Sequence, residues 1–442
     1  MAKKLRKFEA DIVIAGGGPG GCAIARDLSK MGKRVIMVER GGYFKRYLGT
    51  PLVFARHLER AGKYRTIEGE PVYAGVGVGG GTLVFYASVT EPDHDMWQKY
   101  GIDITEETKE ARKECWANKV PDSLLAPPAK RLMTAARELG YPWESQEKMI
   151  DFNKCRMECN LCGLGCPRGA KWTGMEFAKE ALKNGAKILT GVTVRDVIVE
   201  NGLAGGVRAK GSDGTEYEIN AKVVVCSAGG VGTARILKRS GIYEAGSWLS
   251  TDPAFATTGY TREITHRNHD NAMNVGWHDK ENGVFFVNNT MSRRLTYSKA
   301  ITSTHKRRDL RNMLRWGRAL SIVAVVGDEP EGRVLLEDGK VSKRYTKRDM
   351  YRVEYARVLN EKILIKAGCD PATISHDELT HTHLKGTVKL GTLLDSNLET
   401  PIKNLYCCDL SVIPDLSMEP TLTLMALARR LSGRLEAILA AS

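Results

Sequence analysis

A short segment at 155–171, "CRMECNLCGLGCPRGAK", carries enough thiols to bind an inorganic cofactor. Three, two and three residues separate its four cysteines, which are Cys155, Cys159, Cys162 and Cys166. With the proline that follows, this spacing is close to the C-x2-C-x2-C-x3-C-P run of bacterial ferredoxins, although the first interval is one residue longer. Interleaved glycines let the backbone curl around a small core. Four thiolates in one loop could bind a [4Fe–4S] cluster, which transfers single electrons.

Two other uses of these cysteines stay open. Zinc accepts an all-cysteine site, but structural zinc usually takes two C-x2–4-C pairs separated by a longer loop. Thiols without any cofactor are the second alternative, whereas disulfides are disfavoured by the cramped spacing and the expected reducing compartment. The sequence therefore favours [4Fe–4S] over zinc and over plain thiols. The other cysteines are expected to be ordinary buried residues: Cys22, Cys115, Cys226, Cys369, Cys407 and Cys408.

A second chemical feature lies in "ADIVIAGGGPGGCAIARDLSKMGKRVIMVER" at 10–40. An apolar strand runs into Gly16-x-Gly18-x-x-Gly21, a helix follows, and a second strand ends at Glu39. Glycines in this turn let backbone N–H groups approach a pyrophosphate at a helix N-terminus, and the acid accepts hydrogen bonds from a ribose. Because strand, turn, helix and acid occur in order, the segment predicts a dinucleotide site more strongly than glycines alone would.

The bulk composition limits the class of protein. The chain has 442 residues, 42% of them hydrophobic and 27% charged, which is typical of a globular protein with two or three lobes. Its formal net charge of +14 favours an acidic partner, yet no nucleic-acid motif accompanies the basic residues. No apolar stretch is long enough to span a membrane, and the N-terminus lacks the apolar core of a signal peptide. We expect a cytoplasmic protein without a transmembrane segment.

Further segments indicate a cofactor longer than NAD. "GVGVGGGTLVFYASVTEP" at 75–92 is a second glycine-rich loop, too far along the chain to serve the same mononucleotide. "AKVVVCSAGGVGTARILKRSGI" at 221–242 is a buried strand, a glycine turn and a helix. Together with "HLKGTVKLGTLLDSNLETPIKNLYCCDLSVIPDLSMEPTLTLMALARRL" at 383–431, these segments favour FAD.

In this order, the four segments resemble the glucose–methanol–choline (GMC) oxidoreductases, and within them the cholesterol-oxidase-like branch. The resemblance implies an α/β fold (α+β overall) in which a Rossmann-like FAD-binding domain receives an inserted substrate domain of antiparallel sheet and helices. The expected division lists an FAD-binding segment at 1–95, a helical segment with the cysteine loop at 96–170, a second FAD-binding segment at 171–245, the substrate domain at 246–380 and a C-terminal FAD-binding segment at 381–442.

The resemblance also implies which residues hold FAD. The pyrophosphate would lie on Gly16, Gly18 and Gly21 and the adenosine ribose on Glu39. The expected contacts to the rest of the cofactor are Gly79, Gly80, Gly81 and Thr82 along the ribityl chain and isoalloxazine, the Val194 backbone at the adenine, Asp409 beside the ribityl chain, and Pro420 and Thr421 at the pyrimidine edge. Apolar residues at helical spacing after Thr421 predict a helix whose positive end would stabilise negative charge on the reduced ring.

Two residues are candidates for catalysis by the same resemblance. His383, three residues before a Gly-Thr pair, takes the position of the histidine that faces the flavin. An imidazole suits removal of a hydroxyl proton because its pKa is close to the working pH. Glu419 stands where the family usually has Asn or His, and Phe85 stands where the cholesterol-oxidase-like loop has Asn. These departures affect the expected substrate more than the expected fold.

The sequence thus predicts an FAD-dependent dehydrogenase that oxidises a CH–OH substrate by hydride transfer to flavin. A [4Fe–4S] cluster would pass the electrons to an external acceptor, either an acidic electron-carrier protein or a quinone. Two alternatives remain at this stage. The same cofactors could reduce a C=C or C=O bond, or the chain could be a subunit of an electron-transfer complex.

Overall fold

A computed structural model describes residues 5–43, 45–58, 64–157, 159–265, 271–289, 316–336, 339–414, 418 and 420–441. The helices are α1 (Pro19–Lys30), α2 (Leu52–His57), α3 (His94–Lys99), α4 (Thr105–Glu114), α5 (Pro127–Glu138), α6 (Gly174–Lys183), α7 (Gly229–Arg239), α8 (Lys347–Lys366) and α9 (Thr421–Ala441). None of the helices described is both long and apolar enough to cross a membrane.

The strands form two large sheets and two small sheets of two strands each. They are β1 (Leu5–Ala15), β2 (Val35–Glu39), β3 (Ala117–Lys119), β4 (Glu144–Ser145), β5 (Glu147–Met149), β6 (Lys187–Thr190), β7 (Val192–Glu200), β8 (Leu203–Gly211), β9 (Glu216–Cys226), β10 (Pro253–Tyr260), β11 (Val275–Asp279), β12 (Val284–Asn288), β13 (Ala319–Val326), β14 (Arg333–Val334), β15 (Val341–Ser342), β16 (Ser375–His376), β17 (Thr380–His381) and β18 (Leu405–Cys407).

The first sheet has the strand order β6-β2-β1-β9-β8-β7, and β18 also pairs with β9. Strands β6, β2, β1, β9 and β18 are parallel, whereas β8 and β7 form an antiparallel extension. Ile12 to Ala15 in β1 are fully buried, as expected of a parallel strand covered on both faces. Helix α1 packs on this sheet beside α6 and α9. The Rossmann-like part of the predicted fold is therefore confirmed.

The second sheet is antiparallel and has the order β16-β10-β13-β12-β11-β4, with β17 also beside β10. Neighbouring residues alternate between its faces. Phe286 belongs to the core that α5 and α8 complete, while Phe285 lies in a separate apolar cluster with Met418. The mixed α/β fold class predicted from the sequence is confirmed, while the boundaries proposed for the segments stay a prediction.

Helix α8 begins where its sequence provides a reciprocal cap. The Thr346 hydroxyl accepts a hydrogen bond from the Asp349 N–H, and the Asp349 carboxylate accepts one from the Thr346 N–H. This capping box satisfies two backbone donors that would otherwise lack partners at the helix start. The second oxygen of Asp349 accepts a hydrogen bond from the N–H of Glu329. The cap therefore also anchors the segment that follows β13.

A buried ion pair fixes the segment that leads into β10. Lys343 Nζ lies 2.7 Å from Asp328 Oδ2, and both side chains are fully buried. Asp328 also accepts hydrogen bonds from the backbone N–H groups of Thr251 and Asp252. Burial alone would raise the pKa of Asp328, but Lys343 and these hydrogen bonds hold it below its usual value. The carboxylate therefore stays ionised and sets the path of residues 250–252.

Replacing Lys343 with Met should destabilise the protein by about 3 kcal/mol at neutral pH, since the buried carboxylate loses its cation. The lowered pKa of Asp328 contributes stability that is present above the unfolded value of about 3.9 and is lost as pH falls through the folded value. The difference in the free energy of unfolding between wild type and variant should therefore become smaller below about pH 4. Urea unfolding at several pH values measures this difference.

Arg344→Met is the matched control, because that side chain is 90% exposed and should change stability by less than about 0.5 kcal/mol. Equal destabilisation by the two substitutions would contradict the role given to the ion pair.

Candidate active site

The first glycine turn is shaped by close backbone contacts. A Cβ on Gly16, whose φ is +113°, would lie 2.1 Å from the carbonyl oxygen of Ser227. A Cβ on Gly21 would lie 2.2 Å from the carbonyl oxygen of Gly16. At Gly18, by contrast, the nearest atom to a Cβ would be 3.9 Å away. Gly16 and Gly21 are thus required for packing, whereas Gly18 leaves open space at the start of α1.

The second glycine loop lies directly against the first. The N–H of Gly79 donates to the carbonyl of Gly17 at 2.7 Å, and a Cβ on Gly80 would come within 3.0 Å of the Gly18 Cα. Gly81 faces open space. The Thr82 hydroxyl oxygen accepts a hydrogen bond from the first residue of α6 at 2.9 Å. The two loops, far apart in sequence, therefore form one surface, which we call the glycine cradle: residues 16–21 and 79–82.

Glu39, at the end of β2, connects these loops through its carboxylate. One oxygen accepts a hydrogen bond from the N–H of Gly17 at 2.7 Å. The other accepts from Gly41 at 2.7 Å and from Gly77 at 3.1 Å. The side chain is buried. Glu39 thus has a structural role that the sequence motif did not predict, and its contact with a ribose stays a prediction.

Asp409 lies at the same edge of the sheet, because the parallel strands β1, β9 and β18 all end there. Its carboxylate accepts hydrogen bonds from the N–H of Gly229 at 2.8 Å, the N–H of Ser411 at 2.7 Å and the hydroxyl of Thr233. Burial raises the pKa of Asp409 above its usual value, and the hydrogen bonds oppose that shift. This places Asp409 at the start of α7, beside the glycine cradle.

The cradle fits a cofactor that carries phosphates. Gly18, Gly81 and Gly229 lack neighbours on their open sides, and the first and last lie at the starts of α1 and α7. Helix N-termini attract phosphate through their N–H groups and dipoles. The buried Ser411 hydroxyl has no hydrogen-bond partner among the described residues, which leaves it available to a ligand. The residues around this edge could therefore hold FAD.

Other predicted cofactor residues lie on the elements around this edge. Val194 is buried in β7, where it pairs with Ala209 of β8. Pro420 directly precedes α9, and Thr421 is the first residue of that helix. Glu419, the second predicted catalytic residue, lies outside the described residues. The contacts proposed for Val194, Pro420 and Thr421 with the cofactor stay predictions.

His383 lies beside the cradle because the residue after it contacts α7. A Cβ on Gly230 would meet the Leu384 carbonyl oxygen at 2.0 Å, and the Thr387 hydroxyl donates to the Gly230 carbonyl at 2.7 Å. The His383 ring is partly exposed, at 26% of its side chain. Its Nδ1 lies 3.2 Å from Asp252 Oδ2. The predicted catalytic histidine thus has a carboxylate partner.

Asp252 and Lys385 were not predicted from the sequence. Lys385 Nζ donates to Asp252 Oδ1 at 2.6 Å, and both side chains are fully buried. His383 and Lys385 are two residues apart, and each contacts a different oxygen of Asp252. Asp252 is separated from them by more than 130 positions, so no spacing in the sequence pointed to it.

His381 also has a carboxylate partner, but unlike His383 it is not exposed. It is fully buried, and its Nε2 lies 2.6 Å from a carboxylate oxygen of Glu70. Its Nδ1 lies 2.9 Å from the Thr251 hydroxyl oxygen, and its ring stacks on Tyr345. Both ring nitrogens therefore have protein partners. His381 connects the segment around Glu70 to the second sheet, and His383 is the histidine with access to a ligand.

The four clustered cysteines line a single pocket. Burial raises the pKa of Cys155 to about 11 and raises that of Cys162 as well. Lys148 opposes both shifts, and Lys171 opposes the shift of Cys162. Within the described part of the chain, no three Cys, His, Asp or Glu side chains converge as ligands of a single metal ion. The thiols thus share one cavity without forming a compact one-ion site. Whether they bind [4Fe–4S] is not tested by this geometry.

Lys171 joins this pocket to the cradle. Its ammonium donates to the carbonyls of Cys162 at 2.8 Å, Phe85 at 2.9 Å and Leu83 at 3.0 Å. Burial lowers the pKa of Lys171 to about 8. Asn160 also lines the pocket: it is 2% exposed, and neither atom of its amide has a hydrogen-bond partner among the described residues. No motif or spacing in the sequence indicated a role for either residue.

Fold and site together define a nucleotide-dependent oxidoreductase, with a dinucleotide cradle on one sheet and a histidine–carboxylate pair beside it. Residues 10–254 match the family described as GMC oxidoreductase, and the chain belongs to that family. It is accordingly an FAD-dependent oxidoreductase of the class that acts on alcohols. The proposed cholesterol-oxidase-like branch is a finer assignment that this match does not make.

Three relatives illustrate the range of similarity. The long-chain-alcohol oxidase FAO4B of Arabidopsis thaliana is 26% identical, with 97% of this chain and 67% of that protein covered. An uncharacterized protein of Methanocaldococcus jannaschii is also 26% identical, with 95% of this chain and 98% of that protein covered. An uncharacterized GMC-type oxidoreductase of Mycobacterium tuberculosis is 30% identical, but only 53% of this chain and 39% of that protein are covered.

Gly18→Ala should fold normally yet bind FAD at least about tenfold more weakly, because its methyl group would enter the space open to the pyrophosphate. Gly21→Ala should instead lower the stability of the cofactor-free protein by about 1–3 kcal/mol through its contact with Gly16. FAD titration and thermal unfolding of the cofactor-free proteins separate the two effects. Unchanged FAD affinity in a folded Gly18→Ala protein would argue against the cradle.

Proposed function

We propose that the protein is a dehydrogenase that oxidises an apolar alcohol with His383 as the base. The observation that carries this proposal is the contact between His383 and the buried Asp252 beside the glycine cradle. A carboxylate only accepts hydrogen bonds, so the pair favours a proton on Nδ1. Nε2 then has a lone pair that can take the proton of a substrate hydroxyl. When bound, FAD supplies an acceptor for the hydride from the carbinol carbon.

The apolar face of the second sheet supports an alcohol with a hydrocarbon part. Ala254, Phe285, Val287, Val325 and Met418 form a cluster on that face, separate from the core under α5 and α8. Met418 belongs to the segment that leads into α9, so the cluster borders the C-terminal part of the predicted FAD site. The plant relatives are named long-chain-alcohol oxidases, which agrees with a substrate of this class.

We further propose that electrons leave through a [4Fe–4S] cluster in the cysteine pocket. All four cysteines line one cavity, and the buried Lys148 and Lys171 would offset part of the negative charge of a thiolate-bound cluster. Lys171 also connects the pocket to the segment that follows the second glycine loop. A site for one-electron transfer next to a flavin suits a dehydrogenase that delivers electrons to a separate acceptor.

The acceptor would be an acidic carrier protein or a quinone. The net charge of +14 supports the acidic carrier, because opposite charge speeds encounter between electron-transfer partners.

None of the ten cysteines forms a disulfide, which supports a reducing compartment such as the cytoplasm. The reverse reaction, reduction of a C=O or C=C bond, would use the same groups. The direction of the reaction is decided by whether an alcohol reduces the enzyme.

Anaerobic addition of primary aliphatic alcohols should bleach the flavin absorbance, faster as the chain lengthens. His383→Gln should lower the rate of bleaching by about 10²–10⁴-fold while FAD stays bound, because the base is lost but the cradle is intact. His94→Gln, on the distant helix α3, should bleach at the wild-type rate. Wild-type bleaching by the His383 variant would refute the catalytic assignment. A flavin that no alcohol reduces would favour the reductase.

Anaerobically purified protein should contain about four iron and four sulfide per chain together with FAD. Cys162→Ser should lose most of the iron and the broad visible absorbance, since one of the four ligands is removed. Cys369→Ser should keep both, because Cys369 lies in the core under α8. Zinc in place of iron, or protein without either metal, would contradict the relay.

A further inference from the structure

His383 and Asp252 are both held in an unusual backbone conformation. Their φ angles are +40° and +42°, in the left-handed region that residues other than glycine rarely adopt. Such strain persists only where the surrounding structure enforces it, and it clusters at functional sites. Here Asp328 accepts the N–H of Asp252, and the 384–387 segment is held against α7. Two strained residues whose side chains are in contact indicate a geometry that the surrounding structure enforces.

Asp252 divides its two oxygens between two partners. Oδ1 receives the ammonium of Lys385 at 2.6 Å, and Oδ2 faces Nδ1 of His383 at 3.2 Å. Since Lys385 has only donors, it fixes which oxygen is left for the histidine. It also places a positive charge against the buried carboxylate, which therefore needs no proton from the imidazole for neutrality. The lysine is fully buried, so solvent does not compete for it.

We propose that Asp252 and Lys385 together are positioning residues that set the tautomer of His383. Asp252 holds the proton on Nδ1, and Lys385 holds Asp252 in the orientation that makes this possible. The inference rests on the proposed function for its catalytic consequence, namely that Nε2 is the ring nitrogen that takes the substrate proton. The tautomer itself does not depend on which substrate the enzyme oxidises.

This geometry predicts a specific chemical result for the substitution Asp252→Asn. In Asp252→Asn, the ammonium of Lys385 would still require an acceptor, so the amide oxygen would turn toward Lys385. The amide NH2 would then face Nδ1 of His383 and donate to it, which moves the ring proton to Nε2. The histidine would keep its place but lose its basic nitrogen toward the substrate. Loss of this kind costs about 10⁴-fold in a catalytic histidine oriented by a carboxylate.

The double variant Asp252→Asn/Lys385→Met should reverse part of this loss. Without the ammonium, the amide of residue 252 is released to rotate, and its oxygen can accept the proton of Nδ1. We expect the rate of flavin reduction to recover by about tenfold or more over Asp252→Asn, since the right tautomer is populated again. A purely structural role predicts no such recovery, because the double variant removes both partners of the buried pair.

The decisive measurement is the tautomer itself, which needs no turnover. Protein labelled with ¹⁵N in histidine, and with FAD bound, would be compared among wild type, Asp252→Asn and the double variant, with His383→Gln identifying the signals of His383. We expect the proton on Nδ1 in wild type, on Nε2 in Asp252→Asn, and on Nδ1 again in the double variant. The same tautomer in all three proteins would overturn the inference.

Anaerobic flavin reduction by an alcohol, measured on the same samples, separates this inference from the proposed function. If the tautomer switches as expected but no alcohol reduces the flavin, the positioning role holds and the proposed reaction is wrong. If alcohol reduces the wild type and Asp252→Asn equally fast, with FAD bound in both, the positioning role is wrong and the reaction stands.

Discussion

The site depends on a single buried carboxylate that accepts hydrogen bonds from the backbone of both glycine loops. The Glu39 carboxylate accepts hydrogen bonds from the N–H of Gly17 in the first loop and from the N–H of Gly77 in the second. Without it, these N–H groups would be buried with their donors unsatisfied, which costs free energy comparable to a lost hydrogen bond. The cradle therefore requires the end of β2 to reach this position, and the parallel pairing of β2 with β1 places it there.

Much of this could be read from the sequence because the signals are local. The glycine turn, its flanking strand and helix, and His383 next to a Gly-Thr pair all lie within short windows. Side-chain periodicity and turn chemistry act over such windows, so they indicated the strand, glycine turn and helix near the N-terminus. The fold class was implied by the resemblance of four such segments to the GMC oxidoreductases, and it is confirmed. The same local signals assigned Glu39 only a contact with a ribose, because they could not show that the Gly77 N–H would approach the Glu39 carboxylate.

The parts that the sequence did not reveal are contacts between distant segments. Asp252 meets Lys385, and Asp328 meets Lys343, because the folded chain brings them together and not because they are neighbours in sequence. An aspartate or lysine is most often a solvated surface residue, so its type carries no information about burial. Asn160 is similar, since an unpartnered amide is visible only once the surrounding pocket is built. The candidate histidine His383 could thus be proposed from the sequence, but its contact with Asp252 could not.

Lys171 links the cysteine pocket to the part of the chain beside the glycine cradle, which matters for the proposed electron transfer. Its ammonium is bound to three carbonyls, one in the cysteine loop and two in the segment after the second glycine loop. These three hydrogen bonds hold the two segments together. A group bound in the pocket would therefore stay at a constant distance from the cradle. Electron transfer between the two would follow a path of fixed length. It would need no hinge, moving segment or diffusing carrier inside the protein.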